Sequence, residues 1–297
     1  MPAIAVRGLV KRFGGVVAVD DLSFDVQPGT LTGFVGPNGA GKTTTLRMIL
    51  GLVRPTAGTA LVDGVPYGRL DQPARHVGAV LESSGFHPGR TARDHLRLLA
   101  GPSRIPVSRV DEVLSDVDLV GAARRRVGGF SLGMRQRLGL AGALLGDPNV
   151  LIMDEPTNGL DPAGVHWLRA FLRTRVDRGG TVLVSSHLLA ELALAADSVV
   201  IIKDGRLVTQ GPVDEIAGGA AVRVRTPEAE RLRAVLAARG VAATLDGPDH
   251  VVVPGVDTEV VGRAVAEAGL VVYEMSAHRP ALEDAFLALT SDEGDRR

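Results

Sequence analysis

The sequence predicts an α/β fold with a small α+β domain at its C-terminal end. Three short apolar runs, at residues 31–35, 150–153 and 181–184, are separated by segments of helical periodicity. Such runs are typical of parallel strands that are buried on both faces. Residues 221–276 instead follow the order β-α-β-β-α-β, which is the ferredoxin-like pattern. We therefore expect a large domain around a parallel sheet, followed by a small ferredoxin-like α+β domain.

The composition fits two globular domains and argues against several classes of function. With 297 residues and 45% hydrophobic content, the chain can bury two cores. Its 33 basic and 34 acidic residues nearly cancel and only 3% of residues are aromatic, which argues against a nucleic-acid partner. The absence of cysteine excludes disulfides, thiolate catalysis and cysteine-ligated zinc. We expect the domain boundary within 217–219, which gives domains at 1–218 and 219–297.

Neither an exported leader nor a membrane-crossing segment is predicted. The N-terminus lacks the charged-then-apolar order of a signal peptide, and no apolar run approaches the roughly 18 residues that a spanning helix needs. We expect the polypeptide by itself to be soluble.

The first predicted element is an antiparallel β layer. Residues 4–26 contain two strand candidates, the second being the alternating run 22–26, which a Gln-Pro-Gly turn closes. Phe13 lies in the glycine-rich loop between these strands, where an exposed aromatic ring could stack on a nucleotide base. The alternative is that Phe13 packs into the core.

A phosphate-binding loop follows the strand at 31–35. It fits G-x-x-x-x-G-K-[ST] at every fixed position and leads into helical spacing over 44–52. Its glycines allow consecutive N–H groups to converge on a phosphate at a helix N-terminus. The pattern predicts a nucleoside triphosphate site, with Lys42 on the β- and γ-phosphates and the Thr43 hydroxyl on the accompanying Mg²⁺. The loop residues are Gly36, Pro37, Asn38, Gly39, Ala40, Gly41, Lys42, Thr43 and Thr44.

The middle of the chain changes from strands to helices. Residues 59–65 predict a hairpin with an Asp-Gly turn, and residues 76–81 predict a buried strand. From about 83 to 146 the periodicity is helical, and Thr91 with Asp94 resembles a capping box. We therefore expect a helical insertion within the larger domain.

Two carboxylates follow the apolar strand at 150–153. Ligands bind at the carboxyl ends of strands in open α/β sheets. Asp154 is therefore a candidate for orienting Mg²⁺, and Glu155 is a candidate for polarising an attacking water. His187 follows the strand at 181–184, which we expect to lie beside the strand that bears Glu155. In that arrangement His187 could reach a γ-phosphate.

These motifs together resemble the ATP-binding subunit of an ABC transporter, over residues 1 to about 215. A phosphate loop and an Asp-Glu strand end alone indicate only a P-loop NTPase. Residues 130–134, Phe-Ser-Leu-Gly-Met, are similar to the family's signature loop L-S-G-G-Q. Residues 154–162, Asp-Glu-Pro-Thr-Asn-Gly-Leu-Asp-Pro, are similar to the Walker B strand running into the D-loop. The S-L-G-M-R-Q form of the signature and the small C-terminal domain resemble the drug and antibiotic exporter branch.

The resemblance implies a P-loop NTPase core that binds ATP and Mg²⁺ and closes as a head-to-tail dimer around ATP. It also implies a separately encoded membrane permease, which would dock near residues 82–97 at side chains such as Phe86 and His87, and a peripheral location on the cytoplasmic face of the cell membrane. For the nucleotide, the resemblance implies that Phe13 stacks on adenine, that residues 36–44 bind the phosphates and that Thr43 and Asp154 bind Mg²⁺. For catalysis, it implies that Glu155 is the general base and His187 the switch histidine. For the dimer, it implies that Ser131 and Gly133 contact the opposite subunit's ATP and that Asp161 lines the same interface.

Three residues depart from the family pattern. Leu132 and Met134 replace a signature Gly and Gln, which removes a close backbone approach and a side-chain hydrogen-bonding group. Glu82 stands where the family has a Gln that senses Mg²⁺ and the membrane partner. An ionised Glu offers only acceptors and one more negative charge, and our hypothesis is that Glu82 approaches the metal in the ATP-closed dimer. The alternative is that it faces solvent or pairs with an arginine such as Arg93.

Two other functions compete with the energy-supplying ATPase of an exporter. A soluble ABC ATPase that acts on nucleic acid or ribosomes usually has two cassettes, a zinc site or long coiled coils. This chain has one phosphate loop, no cysteine and no sustained heptad run. A small-molecule kinase would leave Ser131, Gly133 and Asp161 unexplained. The motifs therefore favour the exporter ATPase, with the soluble ABC ATPase as the alternative.

Overall fold

The computed structural model describes residues 1–81, 85–187, 194–217, 219 and 221–278. The chain divides into two compact units, Met1–Gln210 and Gly211–Arg297, so the second unit begins slightly before the predicted boundary at 218/219. Each unit has its own cluster of buried apolar side chains.

A three-stranded antiparallel sheet opens the first unit. Its strands are β1 (Ile4–Phe13), β2 (Val16–Val26) and β4 (Ala57–Val62), in the order β2-β1-β4. The expected hairpin over 59–65 is wrong in its pairing, because β4 pairs along β1 and a single bridge, Val62 to Val65, closes the Asp-Gly turn. The ten residues of β1 can form a longer ladder with β4 than the short segment after the Asp-Gly turn could.

The larger sheet of the first unit contains the strands that the sequence predicts to be buried. In sheet order its strands are β5 (Val77–Val80), β6 (Val150–Met153), β7 (Thr181–Ser186), β3 (Leu31–Val35), β8 (Ser198–Lys203) and β9 (Arg206–Pro212). The first five pair in parallel, and every residue of β3, β6 and β7 is buried. The expected adjacency of β6 and β7 is confirmed, so Asp154 and His187 follow neighbouring strand ends.

Helices flank this sheet and form the segment between β5 and β6. The described helices of the first unit are α1 (Lys42–Ile49), α2 (Pro73–His76), α3 (Ala92–Ala100), α4 (Ser108–Asp116), α5 (Leu132–Ala143) and α6 (Pro162–Asp177). The Thr91 hydroxyl accepts the Asp94 N–H at 3.1 Å, so Thr91 caps the start of α3, and it donates to the Asp94 carboxylate at 2.7 Å. In the part of the chain that the structure describes, no helix is long and apolar enough to cross a membrane.

The core of the first unit lies between the two sheets and α1. Phe24 on β2 stacks on Phe34 on β3, with ring centroids 5.2 Å apart. Leu46 and Ile49 of α1 are buried in the same cluster. Because this packing joins β3, α1 and the antiparallel layer, it sets the position of the loop between β3 and α1.

The second unit contains a short helix and then a two-layer α+β arrangement. Its elements are α7 (Val213–Ile216), β10 (Ala221–Arg225), α8 (Ala229–Ala237), β11 (Thr244–Leu245), β12 (His250–Pro254), α9 (Thr258–Glu267) and β13 (Glu274–His278). The strands form an antiparallel sheet in the order β11-β12-β10-β13. From β10 onward the elements follow the β-α-β-β-α-β order of the sequence pattern.

The sequence predicts strands of the second unit over 241–245 and 270–276, whereas β11 and β13 are shorter and begin three and four residues later. The N–H of Val241 bonds the Leu236 carbonyl and that of Leu270 bonds the Val265 carbonyl. These bonds close the ends of α8 and α9, so the residues at 241 and 270 complete helices before either strand begins. The predicted last helix, over 281–290, lies outside the described residues.

Candidate functional site

The phosphate loop connects β3 to α1 and fits closely against its neighbours. Gly39 and Gly41 have φ of +84° and +98°, a conformation that glycine adopts without strain. A Cβ on Gly36 would lie 2.4 Å from the Ile202 carbonyl oxygen. A Cβ on Gly41 would lie 2.5 Å from the Ala18 carbonyl oxygen. The loop therefore passes between β2 and β8 in a space that admits glycine at these points.

Lys42 is the first residue of α1, and its ammonium group is buried. Its side chain is 6% exposed, and Nζ donates to the carbonyl oxygens of Gly36 at 2.6 Å and Pro37 at 3.2 Å. Nζ also lies 3.3 Å from Oε1 of Glu155. A buried cation requires such partners, because desolvation without them is costly. Lys42 therefore links the loop to the carboxylates that follow β6.

Asp154 and Glu155 leave β6 in different directions. The Asp154 N–H donates to the Val80 carbonyl at 2.8 Å, which continues the ladder between β5 and β6. Glu155 has φ +46°, a left-handed conformation that costs a non-glycine residue roughly 1–2 kcal/mol. Because the backbone turns at Glu155, one carboxylate stays buried beside β7 while the other points to the phosphate loop.

Ser185, on β7, is a site residue for which the sequence analysis predicts no role. Its hydroxyl is fully buried, donates to Oδ1 of Asp154 at 2.6 Å and accepts the Glu155 N–H at 2.9 Å. The only signal in the sequence is a hydroxyl near the end of a strand that precedes His187. Its partners become visible only once β6 and β7 are known to be paired.

His187 and Lys42 hold the two oxygens of the Glu155 carboxylate. Nδ1 of His187 lies 2.8 Å from Oε2, and the His187 N–H donates to the same oxygen at 3.3 Å. The Glu155 side chain is 18% exposed and that of His187 is 36% exposed, so both still reach solvent. The carboxylate is therefore oriented at the rim of the phosphate loop, between a cation and an imidazole.

These groups line one open cavity of about 300 Å³. It brings the Lys42 ammonium and the phosphate loop together with the Glu155 carboxylate and the His187 imidazole. Ala18 and Asn158 also line it, and the sequence analysis assigns neither a role. The lining residues are Ala18, Asn38, Gly39, Gly41, Lys42, Thr43, Thr44, Glu155, Asn158 and His187.

Phe13 lies at the end of β1 and is 51% exposed. The alternative that this ring packs into the core is therefore wrong. The Lys11 ammonium lies 4.8 Å from the ring centroid, which is a cation–π distance. Phe13 thus remains a candidate for stacking on a base.

The signature residues line a different cavity, of about 290 Å³, between α5, β6 and α6. The Ser131 hydroxyl accepts an N–H of the first turn of α5 at 3.2 Å, and the Asp161 carboxylate accepts one of α6 at 2.7 Å. Both residues therefore cap helices of their own chain. Ser131, Gly133 and Asp161 line this cavity and not the first. Its lining residues are Ser131, Gly133, Met134, Gln136, Arg137, Leu140, Met153, Pro156, Leu160, Asp161, Ala163, Gly164, Trp167 and Leu168.

Leu132 joins the signature loop to the 154–162 segment. A Cβ on Gly159 would lie 2.3 Å from Cδ2 of Leu132, so the leucine packs directly on that backbone. Gly159 has φ +73°, and Gln136 donates to the Asn158 carbonyl at 3.4 Å. The leucine that replaces a signature glycine therefore fills a space beside Gly159 within the same chain.

Thr43 and Asp154 supply the oxygen atoms best suited to Mg²⁺. Ser185 holds Oδ1 of Asp154, which leaves the second carboxylate oxygen for another partner. A hydroxyl and a carboxylate fit a hard cation that takes its other ligands from substrate phosphates and water. Among the described residues, no group of three or more His, Asp or Glu is placed to hold a metal. The donors thus suit a cation that arrives with a nucleotide.

The segment expected to meet a membrane partner is described in part. Glu82, the departure from the family's Gln, lies outside the described residues. Arg93, the arginine that the sequence offers as an alternative partner for Glu82, forms an ion pair with Asp111 of the insertion at 2.5 Å. Phe86 is half-buried and packs edge-on against His95 with ring centroids 5.0 Å apart, whereas His87 is exposed.

Comparisons with known proteins agree with this geometry. Residues 19–158 match the family described as ABC transporter, and residues 220–283 match a domain of unknown function (DUF8746). The bacitracin transport ATP-binding protein BcrA of Bacillus licheniformis is 42% identical over 216 residues, which cover 72% of this chain and 71% of the relative. The Nod factor export ATP-binding protein I of Burkholderia lata is 36% identical over 297 residues, which cover 97% and 96%. A solved structure of the ATP binding subunit of an ABC transporter matches with a TM-score of 0.65 at 28% identity, over 72% of this chain and 91% of the other.

Proposed function

The chain belongs to the family of ABC transporter ATP-binding proteins, and from this premise we propose that it is the ATPase subunit of a membrane exporter. It is an ATP hydrolase of the ABC type. Two relatives are named for bacitracin transport and for Nod factor export, which supports an export role. The alternative, a soluble ABC ATPase acting on nucleic acid or ribosomes, receives no support from these relatives.

One observation carries the proposal, namely the Glu155 carboxylate held between Lys42 and His187 at the phosphate loop. Glu155 accepts a proton from a water molecule whose oxygen attacks the γ-phosphorus. The bond from the γ-phosphorus to the bridging oxygen of ADP breaks, and ADP and phosphate are released. Lys42 offsets the charge on the phosphates, and His187 keeps the carboxylate aimed at the water.

The remaining loop and strand-end residues bind and orient the nucleotide. The N–H groups of residues 36–44 bind the phosphates, and Phe13 stacks on the adenine. Thr43 and Asp154 would hold Mg²⁺, which would supply positive charge to offset that of the phosphates. Glu82 is proposed to approach that cation in the closed dimer, and a Mg²⁺ titration of Glu82→Gln would show whether its charge matters.

A second copy of the chain completes the site. Ser131, Gly133 and Asp161 lie on a cavity separate from that of Lys42. The charge that develops on a γ-phosphoryl group needs donors on more than one side. In a head-to-tail homodimer, the signature residues of each subunit face the ATP held by the other subunit.

The exporter also requires a membrane component. We place the ATPase peripherally on the cytoplasmic face of the cell membrane, on a separately encoded permease that docks near residues 82–97. Residues 1–218 form the ABC ATPase domain, with its helical subdomain at about 83–146, and residues 219–297 form an accessory domain that ATP binding does not require.

Affinity capture of the full chain from detergent-solubilised native membranes tests this proposal. Mass spectrometry should identify one multi-spanning membrane protein in nearly equal amount, and adding that protein should change the ATPase rate. Recovery of ribosomal proteins or nucleic acid in its place would favour the soluble ABC ATPase.

A further inference from the structure

We propose that Ser185 is a positioning residue for ATP hydrolysis, whose hydroxyl holds the Asp154 carboxylate and the Glu155 backbone in the reactive arrangement. The inference rests on the proposed role of Glu155 as general base. Three observations carry it, namely the end of the β6–β7 ladder, the backbone conformation of Glu155 and the burial of the hydroxyl.

The Ser185 side chain extends the sheet by one hydrogen bond where the backbone leaves it. The parallel ladder between β6 and β7 ends at the pair of Met153 and Val184. Two residues further along the chain, the Glu155 N–H donates to the Ser185 hydroxyl at 2.9 Å. A backbone N–H this close to the core requires a partner. Ser185 therefore supplies the hydrogen-bond acceptor that a backbone carbonyl would supply in a continued strand.

This bond supports a strained residue. Glu155 has φ +46°, and a non-glycine residue remains in such a conformation only where its surroundings hold it. The conformation places the Glu155 carboxylate 3.3 Å from Nζ of Lys42 and 2.8 Å from Nδ1 of His187. Without the Ser185 acceptor, the backbone is free to relax toward an extended conformation, which would turn the carboxylate away from both groups.

The same hydroxyl orients Asp154. Its single proton goes to Oδ1 of Asp154 at 2.6 Å, while the Asp154 N–H is held by the Val80 carbonyl at 2.8 Å. Asp154 is therefore held from both neighbouring strands. Ser185 is 0% exposed, so water does not compete for either bond. One serine thus sets which Asp154 oxygen is left for another partner and how the next residue turns.

The test compares Ser185→Ala with Ser198→Ala in the full chain. Ser198 is a matched control, because its hydroxyl pairs with that of Thr32 at 3.0 Å in the same sheet but touches neither carboxylate. Ser185→Ala should lower kcat by about ten- to a hundredfold, as is typical when a partner of a metal ligand is lost. It should raise the Mg²⁺ concentration for half-maximal activity and leave ATP affinity in EDTA, measured by calorimetry, unchanged. Ser198→Ala should keep the wild-type kcat.

A double-mutant cycle with Glu155→Gln separates positioning from general stability. If Ser185 acts through Glu155, Ser185→Ala should lower the residual rate of Glu155→Gln far less than it lowers the wild-type rate. Equal losses in both backgrounds without a Mg²⁺ shift, or a wild-type kcat in Ser185→Ala, would overturn the proposal. A normal rate in Glu155→Gln alone would instead remove the proposed function. If Ser185→Ala does not fold, Ser185→Cys takes its place, because a thiol is only a weak hydrogen-bond donor and acceptor. A wild-type kcat in that variant would also overturn the proposal.

Discussion

The two cavities of the first unit differ in how much of their chemistry one chain completes. In the phosphate cavity, Lys42 and His187 each contact one oxygen of the Glu155 carboxylate, so groups from three elements meet there. In the signature cavity, the Ser131 hydroxyl and the Asp161 carboxylate accept bonds from the helices that they begin. The first cavity is a preformed half-site for a nucleotide. The second presents two capped helix N-termini, at Ser131 and Asp161, on a cavity that no phosphate-loop residue lines.

This difference separates binding from hydrolysis. A single chain has the ammonium, the loop N–H groups and the base that a triphosphate requires, so it is expected to bind ATP alone. In the proposed head-to-tail dimer, the groups that would stabilise the far side of the γ-phosphoryl come from the other copy. Loss of the Lys42 ammonium from the first cavity should therefore remove binding, and changes in the second cavity should remove only the step that needs two chains.

Lys42→Ala should give the largest effect. The ammonium contributes charge-assisted hydrogen bonds of about 1.5–3 kcal/mol each, and its loss leaves the Glu155 carboxylate facing the phosphates. We expect Mg-ATP binding in calorimetry to fall by more than about a hundredfold, which is loss of detectable binding. Lys203→Ala is the control, because Lys203 ends β8 of the larger sheet and does not line the cavity. Unchanged affinity in Lys42→Ala would refute the nucleotide site.

Glu155→Gln should separate binding from hydrolysis. Removing a general base slows the reaction by ~10²- to 10⁴-fold, while the amide keeps the size of the side chain. The variant should bind ATP and form an ATP-dependent dimer on gel filtration.

Adding Ser131→Arg to that variant should abolish the dimer and leave ATP binding by the monomer unchanged, because the change lies in the second cavity. If the doubly substituted protein still dimerises with ATP, the assignment of Ser131 to the interface is incorrect.

The contact between Leu132 and Gly159 gives a smaller effect. A methyl group on Gly159 meets Leu132 at 2.3 Å and sits at φ +73°, so Gly159→Ala should destabilise the protein by about 1–3 kcal/mol. Adding Leu132→Gly to Gly159→Ala should recover the part of the stability loss that the clash causes, as measured by urea denaturation and kcat. Failure of the double variant to recover any stability would show that the backbone strain, and not the leucine, sets the cost.

The smallest effect concerns the insertion that carries the second cavity. Burial and then the nearby Arg90 charge lower the pKa of His95 below its ordinary value of 6.5. The unfolded chain therefore binds this proton at a higher pH than the folded chain does. Stability should fall as the pH drops from about 6.5 toward the lower folded pKa. His95→Gln should flatten the dependence of Tm on pH in that window, and an identical slope in both proteins would contradict the assignment.

The elements that carry contiguous motifs could be predicted closely. The phosphate loop, the carboxylates after β6 and the helix cap at Thr91 each lie within a few residues of sequence, so local spacing is enough. Ser185 was missed because its two partners lie on the neighbouring strand. The hairpin over 59–65 was wrong for the same reason, since β1 competes for β4 from more than forty residues away.

The sequence by itself determined the class of site, because a phosphate loop is built from backbone N–H groups and needs glycines at set spacings. It also determined the alternation of buried strands and helices, since burial on both faces requires unbroken apolar runs. Only the tertiary structure decided which polar groups converge. The pairing of β6 with β7 brings Ser185 to Asp154 and His187 to Glu155, and it leaves Ser131 and Asp161 on another cavity. Such convergence depends on the order of strands across a sheet, which long-range packing sets and local sequence does not encode.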